Sequence, residues 1–491
     1  MTTSDVLLLP ERNAWSLELT AAREKTLRRL AKAIKKDEPA LAVLSPYVLG
    51  MHAEILDAPS LVIEDHGGIR LFEKSGDKAY SYRALLLADD DDLVAIGVPR
   101  NDGFEAYCRD WLGLGAPRLL TPKISGPDDS LATRCRLDAN FIDSVTAHAE
   151  YHNGLNVLPY MGSWPIWELA GEIARNSRAP VRVIAPPPQL SLRVNDKIWF
   201  TELAQKICGQ DATPPARPAH NFTNLCQITM DLGREYPSIA IKLPDSASSA
   251  GNLVLNSGEI RKSSIQQLYQ QLNSRLLTLG WNGKFPLLVN AWENPIIASP
   301  SVHLWIPAIE VGLPLVEAIY DQHTSGLERE FDGATPCRLG QDWQFRLARQ
   351  AFQLGRVLQH LGYFGRCSLD AIIIGADLER AQLHWVECNG RWSGVSIPLS
   401  LNRRLDRVHA MPFVILEEAH QQLAARELGQ VLQSLESLLY QSGKRESGAI
   451  LLSPGRLLDG TGFELMVRDA SLDSAIDKGR KFVHQLGEIQ F

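Results

Sequence analysis

Two kinds of hydrophobic pattern alternate along the first 190 residues. Short apolar runs typical of buried strands are separated by segments whose apolar residues recur with helical spacing. The strand-like runs are LAVLS (41–45), LVAIGVPR (93–100), PRLLTP (117–122) and VRVIAPPP (181–188), and the helix-like segments include FEAYCRDWLGLG (104–115) and WELAGEIAR (167–175). This alternation predicts a parallel α/β layer domain, closed by the prolines that end the last run.

The alternation starts again after Val194. Asp196 is a candidate N-cap for a helix over 197–208, because its carboxylate can accept hydrogen bonds from the first free N–H groups of that helix. The segment ATPPARPAH at 212–220 is too rich in proline to continue the helix and predicts a connection. The strands SIAIKL (238–243) and NLVL (252–255) and a helix with the stripe Ile265, Leu268, Leu272, Leu276 and Leu279 follow. This order predicts an α+β unit.

Strand-like runs dominate the next part of the chain. LLVNAW (287–292), VHLWIPAIE (302–310) and LPLVEAIYDQ (313–322) follow one another closely, which predicts an antiparallel sheet. A long helix with leucines at 347, 354, 358 and 361 on one stripe precedes two more strands, GRCSLDAIIIG (365–375) and AQLHWVECNGR (381–391). The tail predicts a helix near 414–440, strands at GAILLS (448–453) and GFELMVRD (462–469), and a last helix from Ser471.

Composition narrows the functional classes. The 491 residues are 45% hydrophobic and 22% charged, which is typical of a globular protein with roughly three to four domains. A formal net charge of -7 disfavours a protein that mainly binds nucleic acid. The seven cysteines form no CxxC pair and no run is long enough to span a bilayer. We therefore expect reduced thiols, a cytoplasmic location and no membrane or nucleic acid partner.

The strand AQLHWVECNGR carries the first candidate chemistry. If this segment is extended, side chains two residues apart share a face, so Glu387, Asn389 and Arg391 point the same way. By the same alternation, Val386 and Cys388 are expected to point into the core. The pattern places oxygen ligands beside a cation on one face.

A second carboxylate lies on the preceding strand. Across a hairpin, Asp370 can join Glu387 and Asn389 in a site made of oxygen atoms alone. Such a donor set suits Mg²⁺, with phosphate oxygens completing its coordination. A surface hairpin held by ion pairs is the alternative.

Two lysines and a loop of small residues predict a phosphate-binding region. Lys242 ends the strand SIAIKL on the face opposite Ile239 and Ile241, just before the loop SASSAGN at 246–252. Small residues allow the backbone to approach a phosphate closely and supply hydroxyl and N–H donors. Lys197, further upstream, could reach an α-phosphate. A serine-rich surface turn and a solvated lysine are the alternatives.

In chain order, these motifs resemble the ATP-grasp superfamily. The motifs are NDK at 195–197, IKLPDSASSAGN at 241–252, GRCSLDAIII at 365–374 and WVECNGRWSGVSIP at 385–398. Within the superfamily, their combination is similar to peptide ligases of the pheganomycin-ligase type, which carry a pre-ATP-grasp domain. The resemblance implies four parts: an N-terminal extension with a Rossmann-like pre-ATP-grasp domain (1–190), a subdomain with the lysine and the flexible loop (191–285), a metal-binding subdomain (286–405) and a small C-terminal α+β subdomain (406–491).

The resemblance also implies how ATP is held. Lys197 and Lys242 would contact the α- and β-phosphates, and Ser248, Ser249 and Gly251 would close over them. Lys242 would thus serve both nucleotide binding and catalysis.

Metal and adenine contacts follow from the same resemblance. Mg²⁺ would be held by Asp370, Glu387 and Asn389, and Arg391 would stabilise the γ-phosphate or an acyl phosphate. Where many relatives carry an acidic residue at the adenine hinge, this chain has Asn290 and Trp292, and Ser301 stands where the ribose often meets a carboxylate.

The implied activity is that of an ADP-forming ligase. It would activate a carboxylate as an acyl phosphate and join it to an amine, with amino acids or peptides as substrates and with ATP and Mg²⁺ as cofactors. A small-molecule phosphotransferase and a non-catalytic nucleotide-binding module are the alternatives. A homodimer is an open alternative to a monomer.

Overall fold

The N-terminal part is built on a parallel sheet. The computed structural model describes residues 15, 17–67, 69, 80, 82–123, 130–244, 251–406, 411–419, 428–459 and 462–488. Its first elements are α1 (Ala21–Asp37), β1 (Ser60–Ile63), β2 (Leu93–Ala95), α2 (Asp102–Ala106), β3 (Arg118–Leu120), α3 (Leu131–Leu137), α4 (Ala139–Tyr151), β4 (Leu155–Pro159), α5 (Trp164–Asn176), β5 (Val181–Val183) and α6 (Pro188–Val194). The strands are parallel in the order β3-β2-β1-β4-β5. This confirms the predicted α/β layer domain.

The segment LAVLS is not a strand, so that prediction is wrong. Pro39–Leu41 forms one 3₁₀ turn, and the following Val43 and Leu44 are exposed, 64% and 44% respectively. Proline favours the first turn of a helix and Pro46 lacks the N–H that a ladder needs. The first strand is instead Ser60–Ile63, whose residues are all buried, as parallel strands in a covered sheet are.

A second, antiparallel sheet follows the parallel one. Its region contains α7 (Lys197–Cys208), β6 (Ala216–Ala219), α8 (Phe222–Glu235), β7 (Ser238–Lys242), β8 (Asn252–Asn256), α9 (Ser257–Ile260), α10 (Ile265–Thr278) and β9 (Leu287–Ala291). The strand order is β6-β9-β7-β8. Asp196 caps α7 as predicted, because its carboxylate accepts hydrogen bonds from the N–H groups of Ile198 and Trp199.

Two predictions for this region need correction. The proline-rich segment was expected to be a connection, but 216–219 forms the outer strand β6, where Pro218 is tolerated at the edge of the sheet. The run LLVNAW was expected to join the strands that follow it, but β9 pairs with β6 and β7. Sequence proximity alone did not decide its partners, because antiparallel pairing also occurs between distant segments.

One face of this sheet is apolar and the other faces a cleft. Ile239 and Ile241 of β7 pack in a buried cluster with Leu268, Leu272 and Leu276 of α10. Alternation along a strand directs Lys242 to the opposite face. The helices therefore cover the back of the sheet and leave the lysine on the cleft side.

The third sheet spans the rest of the chain. Its elements are β10 (Ile296–Ala298), β11 (Pro300–Ile306), β12 (Leu315–Ser325), β13 (Glu330–Pro336), α11 (Gln341–Leu361), β14 (Gly365–Ile374), β15 (Gln382–Asn389), α12 (Ser396–Leu405), β16 (Phe413–Ala419), α13 (Leu428–Ser434), β17 (Gly448–Leu451), α14 (Gly455–Asp459), β18 (Gly462–Arg468) and α15 (Leu472–Glu488). The order is β10-β14-β11-β12-β13-β16-β18-β17, and β15 pairs with β14. Leu347, Leu354 and Leu358 of α11 are buried against one face of this sheet.

The helix predicted near 414–440 is wrong for much of its length. Residues 413–419 form β16, which pairs with β13 and β18, and the described helix covers Leu428–Ser434. The segment begins with Phe413, Val414 and Ile415, residue types that favour strands when neighbouring strands offer a ladder. Within the part of the chain that the structure describes, no helix is long and apolar enough to cross a membrane.

Candidate active site

The hairpin of β14 and β15 brings two carboxylates together. Asp370 lies directly opposite Glu387 in the ladder, and Ser368 lies opposite Asn389. Directly opposed residues of an antiparallel pair have their side chains on the same face, about 4.5–5.5 Å apart at Cβ. The structure therefore gathers the predicted metal ligands on one face of the third sheet.

A bulge in β15 changes which residues face this site. Asp370 pairs with Glu387 but Ala371 pairs with Trp385, so Val386 is an extra residue. Trp385 is buried, whereas Val386 lines the cleft together with Glu387. The expectation that Val386 points into the core is therefore wrong, and the expectation for Cys388, which is buried, is confirmed.

Two neighbouring side chains hold Asp370 in place. Ser301 donates a hydrogen bond through Oγ to Oδ1 of Asp370 (2.6 Å), and Asn389 donates through Nδ2 to Oδ2 (2.8 Å). Burial, followed by the negative charge of Glu387, raises the pKa of Asp370 to about 6. Because Asn389 donates through its nitrogen, its side-chain oxygen stays available as an acceptor.

Cations surround the second carboxylate. Lys197 Nζ lies 3.8 Å from Oε2 of Glu387. Burial opposes the charge of Glu387, but the cations of Lys197, Lys242 and Arg391 lower the pKa of its carboxyl group below the ordinary value. The carboxylate is therefore ionised and sits within a positively charged ring that suits a polyphosphate with a divalent cation.

Lys242 is buried at the end of β7, with 5% of its surface exposed. Burial lowers the pKa of its ammonium group to about 8, Glu387 partly opposes this shift, and the cation of Lys197 adds to it. Lys197 also donates a hydrogen bond to the carbonyl of Leu243 (3.4 Å). The start of α7 and the end of β7 thus meet at the carboxylates.

Asn195 is a site residue to which the sequence analysis gave no role. Its Oδ1 accepts hydrogen bonds from Arg391 Nη1 (2.5 Å) and from the backbone N–H of Gly390 (3.1 Å). Its Nδ2 donates to the carbonyl of Ser191 (2.7 Å). A Cβ at Gly390 would lie 2.2 Å from Cγ2 of Val194, so only glycine permits this approach. Its position next to Asp196 and Lys197 in the NDK motif was the available signal.

A second pocket adjoins the carboxylates on the side of the second sheet. Its lining includes Lys242, Asn252, Asn290, Trp292, Arg329 and Glu387. Asn290 is buried and donates through Nδ2 to the carbonyl of Ala291 (2.7 Å), while its Oδ1 has no hydrogen-bond partner among the described residues. The guanidinium of Arg329 stacks on Trp292 at 4.1 Å from the ring centroid. The pocket therefore contains the planar ring of Trp292 and the unpaired acceptor Oδ1 of Asn290.

The remaining predicted site residues either border the site or lie outside the described residues. Ser301 contacts Asp370 and lines a cavity that borders the carboxylates. Gly251 is buried and its carbonyl accepts a hydrogen bond from the N–H of Leu243 (2.9 Å), which closes the base of the loop. Ser248 and Ser249 lie outside the described residues. No cluster of three or more His, Cys, Asp or Glu side chains forms a metal site in the ranges that the structure covers, so the candidate site depends on two carboxylates and an amide.

Comparisons with known proteins agree with this architecture. The family model described as the Pre ATP-grasp domain matches residues 81–174. N5-carboxyaminoimidazole synthase from Aspergillus clavatus, solved with ADP, is 14% identical, with a TM-score of 0.52 over 88% of this chain and 99% of that one. The chain carries a pre-ATP-grasp domain and has the ATP-grasp fold.

Two further structures share this ATP-grasp fold. N5-carboxyaminoimidazole ribonucleotide synthetase from Thermus thermophilus is 14% identical, with a TM-score of 0.51 over 87% of this chain and 99% of that one. Biotin carboxylase from Campylobacter jejuni, solved as a β-γ-ATP complex, is 12% identical, with a TM-score of 0.50 over 87% of this chain and 91% of that one. No curated protein matches the sequence significantly. The ATP-grasp resemblance is confirmed, and the peptide-ligase subtype stays a prediction.

Proposed function

We propose that this protein is an ATP-dependent carboxylate–amine ligase that forms an amide bond through an acyl phosphate and releases ADP and phosphate. The observation that carries the proposal is the pairing of Asp370 with Glu387 across one hairpin, with Lys197, Lys242 and Arg391 around the pair. A site of this charge distribution favours a triphosphate whose terminal phosphoryl group is transferred.

The pocket beside Lys242 fits an adenine nucleotide. The unsatisfied Oδ1 of buried Asn290 could accept a hydrogen bond from the exocyclic amine of adenine, which would remove the cost of leaving that oxygen unpaired. Trp292 supplies an aromatic surface. Lys197 and Lys242 would neutralise the phosphates, and Ser248 and Ser249 keep their predicted role of covering them. The ADP complex of the Aspergillus clavatus structure supports this assignment.

The carboxylate pair fits Mg²⁺. Asp370, Glu387 and the side-chain oxygen of Asn389 are hard oxygen donors on one face, which is the donor chemistry that Mg²⁺ prefers. When bound, the cation would neutralise charge on the phosphate oxygens. Ser301 would orient Asp370 toward the cation through its hydrogen bond, and its contact with the ribose stays a prediction.

The chain's own residues would then control the transfer. The substrate carboxylate attacks the γ-phosphorus in line, and Arg391, fixed by Asn195, stabilises the charge that develops on the transferred group. Lys242 stabilises ADP as the leaving group. Exclusion of water from the occupied site would protect the acyl phosphate from hydrolysis.

The substrate class rests on the sequence resemblance. Peptide ligases suggest an amino acid or peptide carboxylate and an amine acceptor. The neighbours named for carboxyaminoimidazole synthesis and biotin carboxylation make bicarbonate a second acid to test.

Hydroxylamine trapping tests the proposal. Purified protein is incubated with ATP, MgCl₂ and hydroxylamine, and with each proteinogenic amino acid, a set of dipeptides or bicarbonate, while ADP and hydroxamate are measured. We expect an amino acid or dipeptide to give both ADP and a hydroxamate, because hydroxylamine attacks the acyl carbon of an acyl phosphate, and formation of the acyl phosphate releases ADP. A phosphorylated product without hydroxamate would establish the phosphotransferase alternative, and nucleotide binding without ADP would establish the binding module.

A further inference from the structure

A third cavity extends from the carboxylates toward the N-terminal part. It has a volume of about 130 Å³ and is bordered at one end by Asp370, Glu387 and Arg391. Tyr80 and Tyr160 line its far end. The cavity therefore begins where the acyl phosphate would form and reaches residues of the N-terminal part.

His303 lies in the floor of this cavity. In the ladder between β11 and β14, His303 pairs with Ser368, and Ser301 pairs with Asp370 two residues along. Residues two apart on a strand share a face, so His303 lies on the same face as the metal-binding carboxylate. Its side chain also lines the cavity.

The imidazole of His303 is buried and unsatisfied. Only 2% of the residue is exposed, and neither Nδ1 nor Nε2 has a hydrogen-bond partner within the described ranges. Burial lowers the pKa of this imidazole to about 4, so the ring is neutral and carries one N–H donor and one acceptor nitrogen. Buried polar groups are almost always paired, so a ring that borders a cavity and lacks a protein partner indicates a ligand.

The charged groups near Tyr80 are already engaged. Glu417 accepts a hydrogen bond from Tyr80 Oη (2.8 Å) and forms an ion pair with Arg456 (2.5 Å). Arg83 is held between two buried glutamates, with its Nη1 3.1 Å from Oε1 of Glu464. These groups are satisfied by one another, whereas both ring nitrogens of His303 lack a partner within the described ranges and its ring borders the space next to the transferred group.

We infer that His303 binds the amine substrate of the proposed ligase and accepts a hydrogen bond from the attacking N–H, which orients the nitrogen lone pair toward the acyl carbon. This inference rests on the proposed function. The nitrogen forms a C–N bond, the C–O bond to phosphate breaks, and the proton lost from nitrogen leaves with the phosphate. The aromatic walls of Tyr160, Phe331 and Trp392 fit a primary amine on an apolar or aromatic body.

The test distinguishes an effect on binding of the amine from an effect on binding of the nucleotide. His303→Phe keeps a ring of similar size but removes both nitrogens, whereas His303→Gln keeps a donor and an acceptor. His323→Phe is the matched control, because His323 is exposed on β12 and is hydrogen-bonded to Thr335. Each full-length variant is assayed with ATP, MgCl₂, hydroxylamine as the amine and the acid that gives the most hydroxamate with the wild type.

We expect His303→Phe to raise KM for hydroxylamine about tenfold, the effect of losing one hydrogen bond, while KM for ATP changes by less than about twofold. His303→Gln should restore much of the loss, and His323→Phe should match the wild type. An unchanged KM for hydroxylamine in His303→Phe, or an equal rise in both KM values, would overturn the inference alone. If the wild type gives no hydroxamate with any acid, the proposed function falls and this inference with it.

Discussion

Two groups of charges within the third sheet and its neighbours differ in how completely they are paired. In the first, Glu317 receives hydrogen bonds from Arg366 Nε (3.0 Å) and Nη2 (3.1 Å) and from Arg403 Nη1 (2.6 Å). Burial opposes the charge of Glu317, but the two guanidinium groups lower the pKa of its carboxyl group to about 2. Both carboxylate oxygens of Glu317 are therefore paired within this triad.

The second group, at the candidate site, is looser. Its ion pair from Lys197 to Glu387 is 3.8 Å long, and the pKa values of Asp370 and Lys242 shift toward neutrality, to about 6 and about 8. Two buried charge clusters in one protein thus differ: the carboxylate of the triad is fully paired, whereas the site keeps charges that need a ligand. Perturbed pKa values in a cleft are typical of functional sites.

Glu387→Gln should have the largest effect and should act on activity alone. Removing one negative charge weakens the divalent cation site, so we expect the rate of ADP release to fall about 1000-fold, with little change in the melting temperature. ADP release is followed with a coupled assay at saturating ATP. Glu379→Gln, in the exposed turn of the same hairpin, is the control and should retain wild-type turnover. Turnover within tenfold of the wild type in Glu387→Gln would remove the metal assignment.

Glu317→Ala should show the opposite behaviour. It leaves two guanidinium groups without their buried counter-charge, so we expect the free energy of unfolding to fall by about 3–5 kcal/mol. Urea denaturation followed by circular dichroism measures this loss. Glu330→Ala, an exposed change on β13, should alter stability by less than about 0.5 kcal/mol. A triad variant as stable as the wild type would show that the two clusters do not differ as described.

Local patterns in the sequence were sufficient for some parts of the site. The facing of Asp370 and Glu387 followed from strand alternation and a short hairpin, and the capping of α7 by Asp196 followed from adjacent residues. Both depend on contacts between residues that are close in sequence. These are the contacts that periodicity and capping rules describe.

Other features depended on distant contacts. Asn195 accepts a hydrogen bond from Gly390, 195 residues later, and the bulge at Val386 became evident only from the register with β14. His303 looked like an ordinary strand residue, because its unsatisfied ring nitrogens are a property of the folded cavity. The strand β16 was mistaken for a helix because its ladder partners, β13 and β18, lie far away in sequence.

Asn195→Ala tests the candidate site, through the hydrogen bond by which Asn195 positions Arg391. Loss of the hydrogen bond to the Arg391 guanidinium, worth about 1.5–3 kcal/mol, should lower kcat about 10- to 100-fold while KM for ATP changes little. A merely structural role would instead appear in stability. In an Arg391→Ala background, Asn195→Ala should therefore have almost no additional effect on kcat. Equal effects in both backgrounds would show that Asn195 does not act by positioning Arg391.

Of the stability changes, that of Lys242→Met should be the smallest, and its size depends on pH. The pKa of Lys242 in the folded state, about 8, lies below the ordinary lysine value of 10.5. The folded state therefore binds its proton less tightly than the unfolded state, which destabilises the protein below pH 8, and this penalty disappears as the pH rises from about 8 to 10.5. We expect Lys242→Met to be more stable than the wild type by about 3 kcal/mol at pH 7, although ADP release is lost. The gain should shrink above pH 8 in urea titrations. Lys206→Met, an exposed change on α7, is the control. A Lys242→Met variant less stable than the wild type at pH 7 would show that burial of this charged lysine does not destabilise the fold.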